Sequence, residues 1–168
     1  VKPKVIGPPV VKKPMDLAGF IRELERHCDP GRVDNAKKML RADRFQLFVE
    51  LDDEHLTGVV KSQSTDIRLY ACQLKADGNY CCCTQNLNVC GGLRGALCKH
   101  LLVLLIGLTQ SNQLDPAKAS QWVKASRKQK PTLEKDSMTT TFVKYKGAEA
   151  GNIDWRPTIT IPEDFYAI

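Results

Sequence analysis

The chain predicts an α+β fold: N-terminal helices, an antiparallel β-meander or hairpin carrying a metal site, a buried helix starting at Cys98, and a further C-terminal helix with an extended tail. Two changes of hydrophobic period carry that prediction. Leu17, Phe20, Ile21 and Leu24 recur at helical spacing, whereas residues 45–83 break into short runs of branched and aromatic residues separated by turn chemistry. From Leu101 to Leu108 apolar residues fill nearly every position, the mark of a helix buried on all sides.

Taken in order, residues 1–14 hold four prolines and predict an extended arm without a fold of its own. Asp16 caps the first helix, and Asp29-Pro30-Gly31 stops it. Asp34 caps a second, short helix that buries Ala36, Met39 and Leu40. Phe45 to Leu51, Leu56 to Lys61, Ile67 to Leu74 and Tyr80 to Cys83 read as strands. Between the last two, Lys75-Ala76-Asp77-Gly78-Asn79 is a hairpin signal, because Asp-Gly and Asn tolerate positive φ. Thr84 to Leu97 is a polar, Gly-rich loop, and Cys98 opens the apolar helix through Gln110. Asp115-Pro116 supplies a cap and a first-turn proline for another helix, which Gln129 to Pro131 breaks. Leu133 to Tyr145 stands between helix and extended chain because of the β-branched run Thr139-Thr140-Thr141, and Trp155 to Ile168 reads as extended. The resulting division is an arm (1–14), a metal-binding domain with flanking helices (15–130) and a partly extended C-terminal extension (131–168).

A length of 168 residues fits one domain, and 42% hydrophobic with 26% charged residues is ordinary for a soluble protein. The N-terminus shows no secretory pattern, and the run Leu101 to Leu108 is far shorter than the roughly 20 residues a bilayer requires. Five of the seven cysteines crowd into residues 81–98, where neighbours such as Cys81, Cys82 and Cys83 cannot easily satisfy disulfide geometry. Such crowding predicts a reducing, cytoplasmic setting and a bound metal, with no membrane partner. The net charge of +6 is uneven: residues 1–14 carry +4, 15–115 carry −1, 116–146 carry +6 and 147–168 carry −3. Basic flanks suit nucleic acid or an acidic protein surface.

Zinc takes four ligands in a tetrahedron of thiolate and imidazole. On a strand, Cys81 and Cys83 point to one face and Cys82 to the other, so alternation selects Cys81 and Cys83 as ligands and leaves Cys82 to the core. Cys98 and His100 complete the set at a helix N-terminus, where the helix dipole favours a thiolate. The intervening loop can also bring Cys90 in as a replacement ligand. Cys28 and Cys72 read as core residues, and His27 and His55 as helix-end and turn histidines. Three thiolates on Zn²⁺ leave a formal charge of −1, which Lys99 between two ligands, or Arg94 in the loop, can offset.

The order Cys81-x-Cys83, loop, Cys98-x-His100, with a hairpin before it and Lys99 and an apolar helix after, resembles the SWIM zinc finger across roughly residues 45–110. The resemblance implies one structural zinc ion per chain and a non-catalytic role. Cys82 and Cys90 depart from the family pattern. Catalysis is not expected, since a filled tetrahedron has no place for water and no acidic residue occurs between Asp77 and Asp115. A Cys98–His100 nucleophile pair lacks an orienting acid or amide, and no phosphate-cradling loop is present. Two function classes follow. In one, the zinc module is a protein-interaction subunit or adaptor; the resemblance implies partners such as an AAA+ ATPase or a von Willebrand A-domain protein. The apolar residues of the two arms, Val5, Ile6, Val10, Val11, Ile159, Ile161, Phe165 and Tyr166, point the same way. In the other, Lys118, Lys124, Arg127, Lys128 and Lys130 line nucleic-acid phosphates beside Trp122.

Overall fold

A computed structural model describes residues 15–42, 46–62, 68–93 and 96–149. The expected N-terminal arm, the extended segment from Trp155, Phe45, Ile67 and Arg94 lie outside the described residues.

Within them the fold is α+β. The elements are α1 (Leu17–His27), α2 (Pro30–Ala42), β1 (Gln46–Leu51), β2 (His55–Lys61), β3 (Leu69–Lys75), β4 (Tyr80–Thr84), α3 (Lys99–Gln110), α4 (Pro116–Ser126) and α5 (Lys135–Glu149). The four strands form one antiparallel meander in the order β1-β2-β3-β4. Asp16 caps α1 by accepting from Gly19 N–H at 2.8 Å. The second helix begins at Pro30, five residues earlier than a cap at Asp34 implies. Asp29 accepts from Gly31 N–H at 3.0 Å with Pro30 in the first turn, so the tripeptide that stops α1 also starts α2.

Helix α3 lies on one face of the sheet and α5 on the other. Phe20 and Leu24 of α1, Val33, Ala36 and Met39 of α2, and Trp122 and Val123 of α4 join α3 in one core with Leu56, Val60, Cys72, Leu74, Tyr80 and Cys82. Enclosed by the sheet and three helices, α3 has no solvent-facing stripe to make polar, which explains its sequence. On the opposite face, Met138 and Phe142 of α5 pack on Phe48, Val59, Ala71, Cys81 and Cys83. The Thr139–Thr141 run is therefore helical. Residues 135–149, placed by sequence in an extension, cover half of the sheet. Lys75 pairs with Glu134 at 2.7 Å and ties the entry of α5 to β3. Gly58 lets α3 approach: a Cβ there would lie 2.7 Å from the Phe48 carbonyl oxygen and 2.8 Å from a Leu104 methyl. Among the described residues no helix is long and apolar enough to cross a membrane.

Candidate metal centre

The β3–β4 hairpin fixes which cysteines meet α3. Lys75 N–H donates to the Asn79 carbonyl at 2.8 Å, so that pair is hydrogen-bonded. Bonded and non-bonded pairs alternate along an antiparallel ladder, and Cys72 and Cys82, directly opposite each other, are therefore a non-bonded pair. Their peptide groups point away from the partner strand. The outward carbonyl of Cys82 accepts from Cys90 N–H at 2.9 Å. A tight reversal makes this possible: Thr84 N–H donates to Asn88 O at 2.9 Å, Leu87 adopts φ 63°, and Cys83 bridges Val89. The chain after β4 thus doubles back and lays Cys90 beside Cys82.

Cys98 and His100 enter from the first turn of α3. Cys82, Cys90, Cys98 and His100 are all buried, and their ligand atoms lie within 4.8 Å of one another. His100 Nδ1 is 3.5 Å from Cys90 Sγ and 3.8 Å from Cys82 Sγ. Tyr70 stacks on the imidazole at 4.0 Å between ring centroids with planes 16° apart, which holds the ring edge-on to the sulfurs. Nε2 of His100 is buried without a hydrogen-bond partner among the described residues. Gly92 closes the loop over the cluster, where a Cβ would sit 3.1 Å from that of Cys98.

The electrostatics suit a cation. Burial pushes the Cys82 and Cys98 thiols well above their ordinary range. Cys90 is held far below it, because the Cys82 and Cys98 thiols, His100 and the Gly92 N–H donate to its sulfur. A bound metal ion would displace the thiol protons of the cluster. For a tetrahedral ion bound at about 2.3 Å by sulfur, ligand atoms stand roughly 3.8 Å apart, and the distances from His100 Nδ1 to Cys90 and Cys82 Sγ, 3.5 and 3.8 Å, are of that order. The four residues can hold a metal ion.

The expected ligand set is corrected on β4. Cys98 and His100 stand where expected, but Cys81 and Cys83 face α5, across the sheet from the cluster. Cys81 and Cys83 do share a face, as strand alternation requires; the face is the other one. Every residue from Tyr80 to Cys83 is buried, so polarity along the strand could not mark which side meets α3. Cys72 adds a contribution the sequence reading missed, its thiol lying 3.4 Å from Cys82 Sγ as a donor. Cys28 is core, as expected.

The basic residues expected to meet phosphates are mostly engaged within the fold. Lys118 pairs with Asp53 at 3.4 Å and lies 5.5 Å over the Trp122 ring, and Trp122 itself is core. Lys124 reaches Glu23 at 4.0 Å, and Arg127 donates to His27 Nδ1 at 2.7 Å. Lys128 and Lys130 are exposed. No protein-family model, no curated protein and no solved structure matches the chain.

Proposed function

We propose that the protein is a non-catalytic, SWIM-like zinc module that serves as a protein-interaction subunit or adaptor in a multi-protein complex. The observation that carries the metal part is the buried three-cysteine, one-histidine cluster joining β4, its return loop and α3. Zinc is the divalent ion that such a donor set suits best. Four protein ligands leave no coordination position for a reacting water, which supports a structural role. Cys82 and Cys90 take the places that the family pattern gives to a Cys-x-Cys pair, so the resemblance extends to the hairpin, the helix and the Cys98-x-His100 half of the site. By that analogy the partner is an AAA+ ATPase or a von Willebrand A-domain protein. The alternative, nucleic-acid binding, draws less support because Lys118, Lys124 and Arg127 already have partners within the fold.

Metal analysis tests the assignment. Purified protein is expected to hold one zinc per chain. Cys82→Ser, Cys90→Ser and Cys98→Ser lose it and unfold the surrounding residues, whereas Cys81→Ser and Cys83→Ser retain it. Zinc-free, fully folded wild-type protein would refute the site. Retention in Cys82→Ser and Cys90→Ser with loss in Cys81→Ser and Cys83→Ser would restore the strand-pair assignment. On mixed-sequence DNA and RNA, fluorescence anisotropy is expected to show no more than weak binding. Tight binding that falls steeply with salt would replace the adaptor reading with the nucleic-acid one.

A further inference from the structure

Beside the metal cluster lies a cavity against which it rests. About 500 Å³ in volume, this cavity is walled by Arg32, Ser62, Arg68, Tyr70, Lys99 and Gly91-Gly92, with Cys90, Cys98 and His100 at its inner end. Among the described residues no carboxylate contributes to these walls. Its three cations come from three separate elements: the first turn of α2, the residue before β3 and the first turn of α3. Among the described residues neither Arg32 nor Arg68 has an ion-pair partner; Arg32 spends one N–H on the Leu97 carbonyl at 3.3 Å and keeps the rest of its fork.

Two further observations point to a ligand. The Cys98 side chain makes no capping hydrogen bond, so the positive end of the 12-residue α3 opens at this cavity uncapped by its own N-cap residue. His100, 3% exposed, is part of the wall and carries the buried Nε2, which has no hydrogen-bond partner among the described residues. Two arginine forks converging on a helix N-terminus match a compact, doubly charged oxyanion better than a carboxylate, which carries one charge and two oxygens.

We propose that this cavity is a phosphate-monoester site that opens onto the metal centre, with the ligands Cys90, Cys98 and His100 as its floor. Arg32 and Arg68 grip the oxyanion, and the α3 N-terminus completes the positive field. The ligand is either a small phosphorylated molecule or a phosphorylated side chain, which present the same dianion. A rival role for these cations is to offset the net negative charge of a thiolate-bound metal, which predicts a different outcome from the same variants.

The test is isothermal titration of the zinc-loaded, full-length protein with inorganic phosphate, and in parallel with a short phosphoserine peptide and its unphosphorylated form. Saturable binding of phosphate and phosphopeptide is expected, with none of the unphosphorylated peptide. Arg68→Gln, an exposed position that leaves folding intact, and Arg32→Gln should each weaken binding at least tenfold while zinc content stays at one per chain. A phosphopeptide bound tenfold tighter than phosphate identifies a phosphorylated side chain as the source; equal affinities identify a small phosphorylated molecule. Absence of binding at millimolar phosphate, or affinity unchanged in both variants, overturns the proposal. Loss of zinc from Arg32→Gln and Arg68→Gln overturns it in favour of the charge-offset role. None of these results depends on whether the module binds a partner, so the adaptor reading and this one can fail separately.

Discussion

A methyl group added at position 58 would press on a backbone carbonyl and on both methyls of Leu104 at once, with nearest distances of 2.7 to 2.9 Å. The carbonyl belongs to the adjacent strand and cannot yield, so the helix must shift. Gly58→Ala is expected to cost about 2 kcal/mol, read as a lower urea midpoint with an unchanged m-value. The same scale governs the thiols. Period-two alternation correctly separates Cys82 from its two neighbours, and that much of the site is legible in the sequence. What alternation lacks is an origin. On a strand polar on one side, the exposed residues would supply it; on β4 both sides are covered, and only the pairing of Cys72 with Cys82 decides. Cys90 was readable as a reserve ligand because its loop could reach, but the reversal at Leu87 that brings it there uses a positive φ in a residue that rarely adopts one.

At the scale of elements, strands and helices were legible wherever a cap or turn residue coincided with a change of period. All four strands, α1, α3 and α4 lie within about two residues of their expected bounds. The start of α2 was misplaced because Asp29-Pro30-Gly31 serves two helices, and a stop signal hid a start signal. The fate of α5 could not be read locally: threonine disfavours helix by only a few tenths of a kcal/mol each, less than the burial of Met138 and Phe142 returns. The β3–β4 turn gives an element-scale prediction. Gly78 sits at φ 96°, and a Cβ there would lie 2.4 Å from the Ala125 carbonyl group. Strain and collision act together, so Gly78→Ala is expected to destabilise by about 3 kcal/mol and to loosen α4 from the hairpin. Amide hydrogen exchange should show the loss of protection first in residues 116–126, the span of α4.

For the whole molecule, buried thiols outside the metal cluster make stability sensitive to alkali, because burial raises the pKa of Cys28 and Cys81 to about 11 and that of Cys83 to about 12. Cys28 shows the sign. Burial raises its pKa from 9.0 to about 11, partly opposed by Arg32 and Arg127. A raised pKa means that the folded state holds its proton more tightly than the unfolded chain does. Its contribution is therefore complete below about pH 9 and is lost as pH rises through 11. Thermal unfolding of the zinc-loaded protein is expected at constant temperature from neutral pH to about 9 and at falling temperature above it, with a shallower fall in Cys28→Ala. An unchanged slope in that variant would place the alkaline sensitivity elsewhere.

The order in which neighbours are synthesised follows from the contact between α1 and α4. Helix α1 is the first described element to leave a ribosome, yet Arg127, which donates to its His27, comes 100 residues later. Trp122 and Val123, which share a core with Phe20 and Leu24, are nearly as distant along the chain. Until they emerge, the apolar side of α1 has only α2 and, later, α3 to cover it. The sheet can close on itself from consecutive hairpins well before that. Vectorial assembly of this chain thus runs from the middle outward, with its oldest helix among the last to find its place.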